Sequence, residues 1–275
     1  MVGSIVLTGL AMIQGFAELS MYSAPQRVAQ ASEAWLARIC VLLGVQRWQG
    51  AALELPDLWL SSQLVLAQTC GYPLMTRLRD KVRLIGRPVY QLPNSADGVH
   101  CSLLLVRADD PRTTLHEFFD SHGLVNNEDS NSGMNLLRHA VAPLQQDGRF
   151  FSRVSLTDGH RNSLRELKVR RGDVAAIDSV TYDYLARDAS EEVAGLRILA
   201  RTASGPCLPY ITALSVDADQ AEVIRHAMNQ ALLELPAVAR TLAISEVLAA
   251  RERDYQVLLD YEQQAVGHGL PSLFN

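Results

Sequence analysis

Short apolar runs along this chain alternate with stretches whose apolar residues recur every three or four positions, the pattern of strands interleaved with amphipathic helices. Gly15–Tyr22 reads as a first strand, and Pro25 opens a helix with Val28, Ala31, Trp35, Ile39 and Leu42 on one face. Leu58–Leu66 alternates and runs into the turn-like Gln68-Thr69-Cys70-Gly71-Tyr72-Pro73. Val82–Tyr90 and Cys101–Arg107 read as buried strands, the second nearly all apolar and stopped by Asp109-Asp110-Pro111. A short helix begins at Thr114 and a brief strand follows at Leu124-Val125-Asn126. The pattern then turns regular: helix Met134–Leu144, strand Val154–Thr157, helix Asn162–Arg170, strand Val174–Asp178, helix Val180–Arg187 and strand Leu196–Arg201. After the breaker Ser204-Gly205-Pro206, Ile211–Val216 reads as the last strand. Helix is expected over Ala218–Leu233 and from Val238 toward Gln264, with Leu242, Val247, Leu248, Tyr255, Leu258 and Leu259 on one side, packed on the parent lobe.

Strands alternating with helices of this length predict an α/β fold with a mostly parallel sheet and helices on both faces. At 275 residues the chain is long enough to split its core in two. Arg107–Pro111 and Arg201–Pro209 read as crossings between lobes. They divide the chain into a discontinuous outer lobe, 1–107 and 204–275, and an inserted lobe, 108–203. Two lobes joined by two crossings describe a hinge with a cleft, where small-molecule sites prefer to lie.

Composition removes other classes. A net charge of −5 with no run of like charge gives no basic field for nucleic acid, so no nucleic-acid partner is expected. Cys40, Cys70, Cys101 and Cys207 form no C-x-x-C pair and the histidines are dispersed, so no metal or cofactor is expected. The cysteines read as free, buried and apolar. Met1–Ala17 is largely apolar, yet no Lys or Arg precedes Glu18, so it reads as an uncleaved start rather than a secretory signal.

Three segments carry chemistry. Asp129-Ser130-Asn131-Ser132-Gly133 follows a strand and precedes a helix, where unpaired backbone N–H groups and the helix dipole favour an anion. Plain helix capping explains the same residues. Thr157-Asp158-Gly159-His160 is a second strand end with a histidine at its tip, readable as an anion donor or as an exposed turn residue. Asp178 ends an apolar strand, and either caps the next helix or accepts from a protonated ligand oxygen. All three sit at carboxyl ends of successive strands, where α/β folds place ligands.

In order and spacing these segments, with Ser20-Met21-Tyr22, Pro25 and Gln68–Pro73 upstream, resemble the PhnD-type phosphate, phosphite and phosphonate solute-binding proteins of ABC transporters over about Gly15 to Val216. The resemblance implies a type 2 periplasmic-binding-protein fold, two α/β lobes closing on a small oxyanion. It implies Tyr22, Tyr72, Ser130, Asn131, Ser132, His160 and Asp178 as ligand residues, no catalytic residue, an ABC permease as partner, a monomer and a periplasmic location. The charge-free start leaves a cytoplasmic placement open, and with it a cytosolic oxyanion sensor or stand-alone binding protein as the alternative. A Ser/His/Asp hydrolase built from Ser130 or Ser132, His160 and Asp178 is a further rival, without a G-x-S-x-G elbow. This chain departs from the pattern at Asn131, at Asp158, and at His100-Cys101, where relatives often carry Tyr before the strand at Ser102.

Overall fold

The computed structural model describes residues 13–48 and 53–274. Its strands in chain order are β1 Ile13–Glu18, β2 Val45–Arg47, β3 Leu64–Gln68, β4 Val82–Tyr90, β5 Val99–His100, β6 Ser102–Arg107 and β7 His122–Val125. They continue as β8 Arg153–Leu156, β9 Val174–Asp178, β10 Leu196–Arg201, β11 Gly205–Pro206, β12 Tyr210–Ala213 and β13 Ile244–Leu248. A six-stranded sheet, β13-β4-β12-β3-β1-β2, forms the core of one lobe, and a five-stranded sheet, β10-β6-β9-β7-β8, that of the other. Between them the antiparallel pair β5 and β11 carries the chain across twice.

Long-range periodicity translated directly into structure. Gln26–Leu43 is helical with Val28, Ala31, Trp35, Leu36 and Ile39 buried, and ends where Gly44 takes a left-handed conformation at φ 63°. Leu103, Leu104, Leu105 and Val106 are wholly buried, as expected of a strand covered on both faces.

Three expectations are corrected. Neither sheet is mostly parallel: β6 runs antiparallel to β9 and β10, and β12 and β13 antiparallel to their neighbours. Strand direction depends on which lobe the incoming chain arrives from, and each crossing reverses it. The crossing expected at Arg107–Pro111 is not one, since β6 and β7 on its two sides belong to the same sheet; the chain passes between sheets around β5 and β11 instead. The helix expected from Val238 toward Gln264 is interrupted. Pro236–Leu242 ends at Ala243 in a left-handed conformation, β13 pairs with β4, and helix resumes only at Gln256–Gly267. Val247 is buried by the sheet rather than by a helix face.

Smaller shifts follow the same logic. The first strand ends at Glu18, and Ser20–Tyr22 is a tight helical turn. Leu58 lies in a short helix, Leu55–Trp59, ahead of β3. The charge-free start read over Met1–Ala17 lies, for residues 1–12, outside the described residues. No described helix is long and apolar enough to cross a membrane.

The C-terminal helix Gln256–Gly267 spans both lobes. Tyr255 and Leu258 pack in the six-stranded lobe, while Ala265, Leu270 and Leu273 pack in the other. Its start is tied to the crossings, where the Tyr255 hydroxyl donates to the Cys207 carbonyl at 2.8 Å and that of Tyr261 to the Ser204 carbonyl at 2.8 Å.

Candidate functional site

Parallel strands β7, β8 and β9 end on one edge of the five-stranded sheet, and the loops after them carry the three polar segments. After β7, Ser130 caps the helix start, its Oγ accepting from the Gly133 amide at 2.9 Å. The first turn, Asn131–Asn135, is wide, closed by the Asn135 amide donating to the Ser130 carbonyl at 3.0 Å. Asn131 donates its amide to the Cys70 sulfur of the other lobe at 3.3 Å, a weak acceptor. Its side-chain Nδ2 is buried with no partner. Close approach demands glycine in this turn: a Cβ on Gly133 would sit 1.6 Å from Asn126 Oδ1.

After β8, helix His160–Lys168 starts with His160 itself, whose Nε2 lies 3.1 Å from Ser132 Oγ. Its Nδ1 is buried without a partner. Burial lowers the His160 pKa, partly offset by the Asp178 carboxylate. Asp158 is exposed, where water screens its charge.

At the end of β9, Asp178 is 2% exposed and uses both carboxylate oxygens. Oδ1 accepts from the Thr181 amide at 3.0 Å, and Oδ2 from His100 Nδ1 at 2.8 Å. Burial opposes its charge, but the His100 imidazole and the Thr181 amide prevail and hold the carboxyl below the usual carboxylate range. Tyr22 enters from the six-stranded lobe with its hydroxyl buried and unpartnered. Burial, reinforced by the Asp178 charge, pushes its pKa well up, so the phenol remains a donor. Rings of Tyr22, Tyr90 and Tyr184 meet edge to face at 6.0–6.4 Å centroid separations and border a cavity of about 20 Å³, room for about one water.

The structure therefore brings Asn131, Ser132, His160 and Asp178 to one place, with Tyr22, from the six-stranded lobe, close enough for the Asp178 charge to act on it. Tyr72 is not brought there. Its hydroxyl donates to Glu262 of the C-terminal helix at 2.7 Å, and it lines a separate cavity of about 380 Å³ with Arg77, Met134 and Arg138. A Cβ on the neighbouring Gly71 would lie 2.8 Å from Leu258, so this turn sits directly against the C-terminal segment to which Tyr72 is bonded. His100 is the site residue that the reading of local motifs missed. Its one signal was a histidine just ahead of a wholly apolar strand, a polar group at the mouth of a buried element. Among the cysteines, Cys40, Cys101 and Cys207 are free and buried, while Cys70 is less so and serves as an acceptor.

The hydrolase alternative comes apart at these distances. Ser132 and His160 are in contact, but the Asp178 carboxylate is hydrogen-bonded to a different histidine, His100, and to the Thr181 amide, not to His160.

A neutral, half-buried histidine has a consequence for pH. The unfolded chain takes up the His160 proton at about pH 6.5, and the folded chain only at lower pH. The unfolded state thus binds more protons below that point and stability falls on acidification. His122, lowered by burial and by Arg153, acts in the same direction. Urea midpoints measured from about pH 7.5 down to 5.5 are expected to decline, with a shallower slope in His160→Gln; equal slopes would refute the assignment.

Two lobes closing on such an edge define a solute-binding protein of the type 2 periplasmic-binding-protein architecture. Residues 61–255 match the family described as ABC transporter, phosphonate, periplasmic substrate-binding protein, and the chain belongs to that family. Among solved structures, a binding protein component of an ABC phosphonate transporter from Pseudomonas aeruginosa is 16% identical with a TM-score of 0.76, covering 94% of this chain and 89% of that one. PhnD1 of Prochlorococcus marinus, in complex with methylphosphonate, is 10% identical with a TM-score of 0.70, covering 92% of this chain and 98% of that one. A Xanthomonas citri protein bound to ATP is 17% identical with a TM-score of 0.65, covering 93% of this chain and 99% of that one. These likenesses show the fold. None of the curated proteins matches the sequence.

Proposed function

We propose that this chain captures a small phosphorus oxyanion (phosphonate, phosphite or phosphate) between its lobes and delivers it to an ABC permease. The observation that carries this reading is a set of buried polar atoms with no protein partner, Asn131 Nδ2, His160 Nδ1 and Tyr22 Oη. Unpaired buried donors are costly, and a ligand that pairs them recovers that cost. Ser130 and Ser132 add hydroxyls at the helix start, where the dipole favours negative charge. Asp178 stands at the far wall. The methylphosphonate held by the Prochlorococcus relative is the type of ligand this donor set suits.

Binding energy suffices in principle. A hydrogen bond to a charged group contributes roughly 1.5–3 kcal/mol, and five or six, less ordering costs, reach the ~8 kcal/mol of a micromolar complex. In a thermal-shift and calorimetric screen, methylphosphonate, phosphite or phosphate is expected to raise the melting temperature by mass action. Ser132→Ala and Asn131→Ala are each expected to weaken the best of them about ten- to a hundredfold. No shift with any of the three anions at millimolar concentration would overturn the reading.

A further inference from the structure

A bare carboxylate in an anion cleft imposes a condition: the ligand must bring a proton for it to accept, and a permanently ionised anion is repelled. Asp178 here is not bare. His100 donates Nδ1–H to its Oδ2 at 2.8 Å, Thr181 donates to its Oδ1, and both side chains of the pair are almost wholly buried, at 1% and 3% exposure. The pairing follows from topology: β6 runs antiparallel to β9 with Ser102 opposite Asp178, so His100, just ahead of β6, reaches the carboxyl end of β9. Across the crossing, His100 pairs with Gly205, and a Cβ on Gly205 would lie 4.0 Å from the unpartnered Asn131 Nδ2. The His100 backbone thus runs beside the segment that borders Asn131, and its ring is close enough for its charge to act on His160. His100 Nδ1 is committed to Asp178, leaving Nε2 as the nitrogen for a ligand.

We propose that His100 widens the ligand class of this cleft: by satisfying Asp178 and presenting Nε2–H, it lets the site take permanently ionised oxyanions, sulfonates included, as well as protonatable phosphorus oxyanions. The inference rests on the oxyanion reading above. The other titratable or charged groups near the pair are His160 from the helix after β8, Tyr22 and Cys70 from the opposite lobe, Cys101 beside it, Cys207 after β11, and Asp183 and Arg201 further out.

Methanesulfonate and methylphosphonate are near-isosteres that separate the two cases, because only the second has an accessible protonated form. Titration calorimetry on the full chain is expected to show methanesulfonate binding within about tenfold of methylphosphonate. In His100→Gln, which keeps a donor for Asp178 without a charge, the sulfonate is expected to fall at least thirtyfold further behind the phosphonate than in the parent. A parent chain that binds methylphosphonate but rejects methanesulfonate by more than a hundredfold at every pH overturns this proposal and leaves the oxyanion reading intact. Binding of neither anion overturns both. An unchanged preference in a folded His100→Gln protein would move the effect away from His100 and refute the assignment.

Discussion

An Asp178→Ala variant is expected to unfold about 3–5 kcal/mol more easily than the parent chain. The carboxylate is buried, so its loss is not made good by water. Two groups lose their acceptor at once: the His100 imidazole, 2.8 Å away, and the Thr181 amide, 3.0 Å away, at the start of helix Ser179–Asp188. The cap alone is worth about 1 kcal/mol, and the stranded buried imidazole makes up the rest. Asp178→Asn keeps an acceptor for one donor and is expected to fall between parent and alanine variant. Acid pH supplies an internal control. The folded chain holds this carboxyl ionised to lower pH than the unfolded chain does, so its contribution is present above about pH 4 and is lost as pH falls through the folded value. Urea unfolding curves should therefore show the gap between parent and Asp178→Asn closing below about pH 4. A loss under about 1 kcal/mol at neutral pH for the alanine variant would show that the pair contributes little beyond the cap.

The second large effect is expected at Arg138. This buried guanidinium donates to the Pro271 carbonyl at 2.8 Å and to Asn135 Oδ1 at 2.9 Å, and lies 3.3 Å from Glu262. Glu262 in turn accepts from Tyr72 of the other lobe, so one residue joins the anion-site helix, the C-terminal helix and the opposite lobe. Asn135 relays the link further: its Nδ2 donates both to the Leu258 carbonyl and to Asn131 Oδ1 at the site itself. Arg138→Ala leaves Glu262 half-paired and the tail without its donor, and is expected to cost about 3 kcal/mol. Hydrogen exchange should locate the damage, with protection lost over residues 256–274 before either sheet opens. Anion affinity should fall with it, because the Asn131 amide loses its support. Unchanged protection over the C-terminal segment would mean that the apolar contacts of Leu270 and Leu273 hold it unaided.

These two sites differ in how far local sequence could disclose them. Asn131, Ser132 and His160 lie past a strand and at a helix start, and Asp178 is the last residue of its strand; strand ends are visible in periodicity because each apolar run stops there. Tyr22 was named only through the family resemblance, and it sits on a helical turn rather than in the first strand. Tyr72 occupies the expected loop, yet that loop sits against the C-terminal helix and Tyr72 is bonded to it. No pattern within the loop encodes that helix.

Periodicity by itself determined the number and kind of most elements, the α/β class and which loops carry polar residues, because helices and strands repeat apolar residues at spacings set by their own backbone geometry. Only the tertiary structure decided strand direction, the strand at Ile244–Leu248, the first crossing at β5, and the meeting of His100 with Asp178. Each of these depends on residues far apart in sequence being placed side by side. The His100–Asp178 contact spans 78 positions and exists because one strand arrives antiparallel to its neighbour. Periodicity records which face of a strand is buried, and that is the same whichever way the strand runs.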